Sequence, residues 1–389
     1  MTVLAARGFV ASGIASGIKP DGALDLALVA TESSLAVPVG ATFTSNLLAA
    51  APVQVCRAHL AATGGRAAAV VLNSGCANAA TGAEGRGAAE LTSELAARAL
   101  GVRPEDVLVC STGTIGTRLA VERIEASLPM LAGKLGLSPE SSAEAARAIL
   151  TTDTVTKEVI VEADGFVVGG MAKGAAMLSP NMATMLAVLT TDASAPQHVL
   201  QAALSEAVQS SFNTMTVDGC TSTNDSVIVL ASGLAGEVAA RALAEALTAA
   251  CAELALQMVA DAEGGTKVVR VTVVGAADDD SARRAGRRVA ESNLVKSSWF
   301  GEDPNWGRIV SELGSAGSAF HPDRVSVAYG SVTVCRDGVG VDHDEEALAK
   351  LVAGREFEIV CDLGLGAGSA TMISADLTPA YVELNMGRS

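Results

Sequence analysis

Short β-branched runs, mostly bounded by Gly or Asp, alternate along this chain with Ala-rich stretches whose apolar residues recur at three and four. That alternation restricts the chain to layered α/β or α+β folds. The runs at 24–30, 66–72, 106–110, 158–161, 226–231, 267–274, 325–329 and 357–362 predict strands. The stretches at 84–100, 123–135, 142–150, 197–210, 237–262 and 344–353 predict helices. Their order is irregular and no fixed period repeats, so a solenoid is excluded. At ~100–200 residues per domain, such a chain allows two or three domains, or one large two-part fold. Aromatics are only 3% while apolar residues are 49%, so the core must be built from Ala, Val, Leu and Ile.

The charge balance narrows the partners. A net charge of −16 argues against nucleic acid and anionic membrane, both of which call for a basic surface. Seven Cys stand singly with no C-x-x-C, which disfavours a disulfide framework or a zinc site and fits a reducing cytosol. The N-terminal stretch lacks a long apolar core, and no run of ~18 uncharged apolar residues has membrane-type flanks. The expectation is a cytoplasmic protein. The block 278–288, acidic first and basic later, reads as a solvated helix whose charges suit its dipole.

Familiar catalytic signatures are missing. The four His (59, 198, 321, 343) fall in no H-x-E or H-E-x-x-H pattern, and there is no G-x-S-x-G or G-x-x-x-x-G-K-[ST]. The run from Gly364 to Gly368 breaks the G-x-G-x-x-G spacing and reads as a tight turn. What stands out is four polar segments, 73–78, 111–116, 151–154 and 218–225, rich in Thr, Asn and Gly. Each alone reads as a turn or a cap. Together they suit acyl chemistry carried by a hydroxyl and backbone amides. The segment 171–190 carries one cation, Lys173, then Pro180, Asn181, Ala183 and Thr184. A Thr nucleophile needs a base, and no His is near; its own α-amine, freed by cleavage of the preceding bond, is the known alternative. That amine has an intrinsic pKa of ~7.7–8.0 and can take the hydroxyl proton. A plain Thr at a helix start is the competing reading.

The stretch K-G-A-A-M-L-S-P-N-M-A-T-M-L at 173–186 closely resembles the self-processing site of the ornithine acetyltransferase family, the glutamate N-acetyltransferases of cyclic arginine synthesis. Matches continue in order along nearly the whole chain. They include N-S-G-C-A-N-A at 73–79, C-S-T-G-T-I-G at 110–116, T-T-D-T at 151–154, V-D-G-C-T-S-T-N-D at 217–225, E-G-G-T-K at 263–267 and G-E-D-P-N-W-G-R at 301–308. The resemblance implies an α/β (α+β layered) fold like the αββα sandwich of N-terminal nucleophile enzymes. It implies self-cleavage between Ala183 and Thr184 into an alpha chain, 1–183, and a beta chain, 184–389, assembled as α2β2. Thr184 would then be the nucleophile, and Thr112 with Gly113 the oxyanion hole. Thr151, Lys173, Thr184, Glu263, Asn385 and Ser389 match substrate-binding positions. From charge, Lys173 suits a carboxylate and Glu263 an amine.

The reaction implied is acetyl transfer from N2-acetyl-L-ornithine to L-glutamate, with no metal or cofactor; acetyl-CoA as a further donor stays open. A self-cleaving aminopeptidase or an inert acidic assembly protein are the rival readings. The chain departs from the family in places: its C-terminal tail is shorter and lacks the usual Tyr, and Cys220 replaces an Asp and reads as a buried small residue. Lys296 and Arg308 read equally as carboxylate ligands or as structural ion pairs.

Overall fold

The run Leu26–Thr31 is buried along its whole length. A strand with no polar alternation must be covered on both faces, and here it is. Ala27 and Val29 join one apolar core, while Leu26, Leu28 and Ala30 join another. The computed structural model describes residues 2–179 and 185–386. It divides into two compact units, one of Met1–Met177, Asn181–Asn213 and Cys220–Met258, the other of Leu178–Pro180, Thr214–Gly219 and Val259–Ser389.

The strands in chain order are β1 (Phe9–Ile14), β2 (Leu26–Thr31), β3 (Val37–Phe43), β4 (Arg66–Ala67), β5 (Ala69–Cys76), β6 (Val107–Thr114), β7 (Lys157–Ala163), β8 (Phe166–Lys173), β9 (Leu186–Ser194), β10 (Met215–Thr216) and β11 (Ser226–Glu237). All but β10 belong to the larger unit. They form a four-stranded sheet, β1-β2-β5-β6, and a six-stranded sheet, β4-β3-β11-β9-β8-β7. Val29, Val70, Leu72 and Leu108 from the first sheet share a core with Val39, Met171, Val188 and Ile228 from the second. The opposite face of the four-stranded sheet buries Leu28 and Val71 under Leu95, Ile124 and Leu128 of the helices 82–100 and 121–133. The helix Gln197–Ser210 packs on β3 of the other sheet. The unit is therefore the expected αββα sandwich. Each buried Val, Leu or Ile contributes ~1.5–3 kcal/mol, which compensates for the scarcity of aromatics.

The covalent division expected at 183/184 runs through this unit. On either side of it β8 and β9 pair antiparallel, from Val168↔Thr191 to Lys173↔Leu186. The helix Ala240–Ala260 is long and apolar enough to span a membrane, with a mean hydropathy of 1.4, although no such span was expected from the sequence. It nevertheless carries Arg241, Glu245 and Glu253, and its buried face, Leu243, Leu247, Ala250, Cys251, Leu254 and Met258, repeats as a core helix does. Its Gln257 also serves the backbone of Glu158 on the edge strand β7, at 2.9 and 3.0 Å.

In the smaller unit the remaining strands are β12 (Val268–Ala276), β13 (Ser326–Tyr329), β14 (Val332–Arg336), β15 (Val339–Gly340), β16 (Glu356–Asp362) and β17 (Gly368–Ala375). With β10 they make a seven-stranded sheet in the order β10-β17-β12-β16-β13-β14-β15. The charged block expected to be helical is the helix Asp279–Glu291, capped by Asp278, whose Oδ1 accepts from Ser281 N at 2.7 Å. It lays Ala282, Ala285 and Val289 on the sheet.

Truncating the shared core of the two sheets tests this packing. Leu72→Ala should destabilise the protein by ~2–5 kcal/mol, read from denaturant unfolding; a loss below ~1 kcal/mol would show that Leu72 is not at a close-packed interface.

Candidate active site

Among the described residues, four of the expected site residues lie in the larger unit, and one buried carboxylate ties two of them, Thr151 and Lys173, together. Thr112 and Gly113 end β6, Lys173 ends β8, and Thr151 lies in the turn before β7. Between them sits Asp153, fully buried. Its Oδ1 accepts from Lys157 Nζ and from the Gly174 backbone N–H, both at 2.6 Å. Its Oδ2 accepts from the Thr151 backbone N–H at 3.0 Å and lies 4.0 Å from Lys173 Nζ. Burial alone would raise the carboxyl pKa, but the charges of Lys173 and Lys157, with the hydrogen bonds from Lys157 and Thr151, bring it down to about 2.

Lys173 Nζ donates to Thr112 Oγ1 at 3.2 Å. A Thr hydroxyl has a single hydrogen, so an ammonium bound to its oxygen turns that hydrogen elsewhere. Thr112 is thereby set up as a donor next to a cation. Gly113 takes φ +130°, and a Cβ there would lie 2.4 Å from the Gly75 carbonyl carbon and 2.6 Å from Cys76 N. The close approach follows from the irregular pairing of β5 with β6 at Gly75 and Cys76. Glycine is required at this point of the strand end.

Two further expected residues meet in the smaller unit, where Asn385 Nδ2 donates to Glu263 Oε2 at 2.8 Å. Ala183, Thr184 and Ser389 lie outside the described residues. Of the two readings of Lys296 and Arg308, the structural ion pair is corrected: among the described residues neither pairs with a carboxylate. Lys296 Nζ is buried and donates to Val217 O at 2.7 Å, to Ser374 Oγ at 3.1 Å and to Ala375 O. Its burial lowers its pKa to about 8, against the opposing pull of Asp218, Asp376 and Glu291. Arg308 donates to Leu294 O at 2.8 Å. Cys220, expected to be buried, is exposed, because its polar loop offers no apolar pocket.

Asp153 and Lys157 were not singled out by sequence reasoning. An Asp after two Thr is usually a turn former, and only the two buried lysines reveal its second role. The T-T-D-T match was the available signal.

The ArgJ family model matches residues 10–387. The arginine biosynthesis bifunctional protein ArgJ of Streptomyces coelicolor is 45% identical over 390 residues, with 100% of both chains covered. That of Mycobacterium tuberculosis is 44% identical over 394 residues, covering 100% of this chain and 96% of the relative. Among solved structures, the ornithine acetyltransferase of Mycobacterium tuberculosis complexed with ornithine is 44% identical with a TM-score of 0.44, covering 46% of this chain and 94% of that one.

The buried carboxylate gives a pH test. Its pKa is depressed from 3.8 to about 2, so the unfolded chain takes up the proton first as pH falls. The stability it contributes is complete above pH ~4 and is lost between about pH 4 and 2. Asp153→Asn should flatten that part of the stability curve, and at neutral pH should cost ~3–5 kcal/mol because the buried Lys157 loses a counter-charge at 2.6 Å. Denaturant titrations across pH check both; an unchanged slope would remove Asp153 from this role.

Proposed function

Because the chain belongs to the ArgJ family, acyltransferases of arginine biosynthesis, we propose that it transfers acetyl from N2-acetyl-L-ornithine to L-glutamate through an acyl-enzyme on Thr184. The observation that carries this reading is the Lys173–Thr112 hydrogen bond beside Gly113, which leaves a hydroxyl hydrogen available as an oxyanion donor.

The chain cleaves itself between Ala183 and Thr184, giving an alpha chain, 1–183, and a beta chain, 184–389. The freed α-amine, with an ordinary pKa of ~7.7–8.0, takes the Thr184 hydroxyl proton. The oxygen attacks the acetyl carbonyl, and the Thr112 hydroxyl with the Gly113 N–H receives the charge on the tetrahedral oxygen. Ornithine leaves with the proton, and glutamate attacks the ester in the second half of the cycle. Splitting the transfer this way gives ping-pong kinetics. Lys173 serves the same charge by holding Thr112 and by its own positive potential. Thr151, Lys173, Thr184, Glu263, Asn385 and Ser389 are the assigned substrate ligands. The relatives are called bifunctional, and the second donor we assign is acetyl-CoA. Two alpha and two beta chains form the working assembly, in a cytosol that keeps its seven thiols reduced.

Cleavage separates 183 residues from the remaining 206, so a denaturing gel should show fragments of about 18 and 21 kDa, their shares of 39.0 kDa. Thr184→Ala should give one uncut, inactive chain. An intact wild-type protein with full activity would contradict the mechanism.

Thr112→Val keeps the shape and removes the donor. It should lower kcat roughly 10²–10³-fold with little change in KM for acetylornithine, because the lost bond strengthens in the transition state. A change confined to KM would move Thr112 out of the oxyanion hole.

A further inference from the structure

Two of the polar segments, 73–78 and 111–116, converge on a third, 218–225. Asn224 is buried, and its Nδ2 donates to Ala77 O at 2.6 Å and to Ser111 O at 2.9 Å. Ser111 precedes Thr112, and its own hydroxyl donates to Asn73 Oδ1 at 2.6 Å. Asn224 therefore fixes the strand that presents the oxyanion donor. The next residue reaches a different target. Asp225 is fully buried, and its Oδ1 accepts from the Met185 backbone N–H at 3.0 Å. That nitrogen is the amide nitrogen of the Thr184–Met185 peptide, one bond from the Thr184 carbonyl carbon and two from its Cα. The Asp225 carbonyl accepts from Thr44 N at 3.0 Å, which pins the backbone of the same residue.

We propose that Asp225 is the positioning residue of the nucleophile: it grips the amide that joins Thr184 to β9, while its neighbour Asn224 holds the strand of Thr112. The inference rests on Thr184 being the nucleophile. A second observation separates this carboxyl from an ordinary backbone cap. Asp225 Oδ2 has no hydrogen-bond partner among the described residues. A buried oxygen left in that state is costly for an anion. Burial pushes the Asp225 carboxyl well up, and the Met185 N–H and the charge of Lys173 offset only part of it, since the nearby Thr44 hydroxyl donates to Ser222 O at 2.6 Å. The neutral acid needs less from its surroundings, with one oxygen accepting from Met185 and the other carrying a hydrogen. An Asn side chain has the same outline, with an acceptor oxygen in place of one carboxyl oxygen and a donor group, NH2, in place of the O–H.

That equivalence supplies the test. Full-length wild type, Asp225→Asn, Asp225→Ala and Asp225→Glu are purified, and the extent of cleavage, the thermal midpoint, and kcat and KM per cleaved chain are measured. Displacing a reacting group by about 1 Å costs around 10²-fold in rate, so Asp225→Ala should cleave slowly and lose kcat on that scale, with KM for acetylornithine nearly unchanged. Asp225→Asn should recover most of kcat. Asp225→Glu keeps the carboxyl but shifts it by a methylene, and should fall with Ala. If the Ala variant fails to fold, the comparison of Asn with Glu decides: Asn well above Glu supports positioning, and Glu equal to or above Asn overturns it. Wild-type kcat in cleaved Asp225→Ala also overturns it. A wild type that neither cleaves nor transfers acetyl would instead overturn the assignment of Thr184 itself.

Discussion

A carboxylate taken out of water between two ammonium groups organises the larger unit. Isolated, either Lys157 or Asp153 would be expensive to bury, since the desolvation cost of a lone ion is several kcal/mol. Paired at 2.6 Å, with two backbone N–H groups filling the remaining lone pairs, the carboxylate is nearly saturated. The same group fixes the backbone of Thr151, the turn at Gly174 and the electrostatic surroundings of Lys173. Lys173 in turn orients Thr112. A chain of short contacts thus runs from a structural ion pair to the expected oxyanion donor, and breaking it at Asp153 loosens each later link.

The sandwich is built so that the site would tolerate the proposed cut in the chain. The two strands flanking residues 180–184 stay paired with each other through β8 and β9, and β9 is paired on its other side with β11. Their inward residues, Met171 and Val188, belong to the core shared with the four-stranded sheet. The hydrogen bonds and the buried apolar surface that hold Lys173 and Met185 do not pass through the peptide bond between 183 and 184. The proposed cleavage there would remove a covalent tie without removing the packing of β8 and β9.

Much of the layered fold was legible because buried strands are continuous apolar runs: 24–30, 66–72 and 226–231 fall on β2, on β4 with β5, and on β11. Two of the strands not anticipated carry breakers. V-P-V-G-A-T-F, which is β3, holds a Pro and a Gly, and F-V-V-G-G-M-A-K, which is β8, holds two Gly. Tertiary pairing overrides those local preferences. The helix expected at 142–150 begins earlier, at Pro139, after a Ser138 cap whose side chain accepts from Ser141 N. At the site, Thr112, Gly113, Thr151 and Lys173 were found through the family motifs, not through physics alone. Asp153 and Asp225 were not singled out, because an Asp in a Thr-rich turn looks like a turn former until burial and long-range partners are known. Lys296 was legible as a residue of note but not as a carbonyl-bound one, since its three partners come from two distant parts of the sequence.

The covalent intermediate is the claim on which the functional reading stands. Cleaved enzyme is mixed with N2-acetyl-L-ornithine in the absence of glutamate, quenched in acid, and weighed by intact mass spectrometry. The beta chain should gain the mass of one acetyl group, mapped to its N-terminal Thr184, and adding glutamate before the quench should discharge it. An unmodified beta chain while acetyl transfer proceeds, or an acetyl group found on a different residue, would contradict the account.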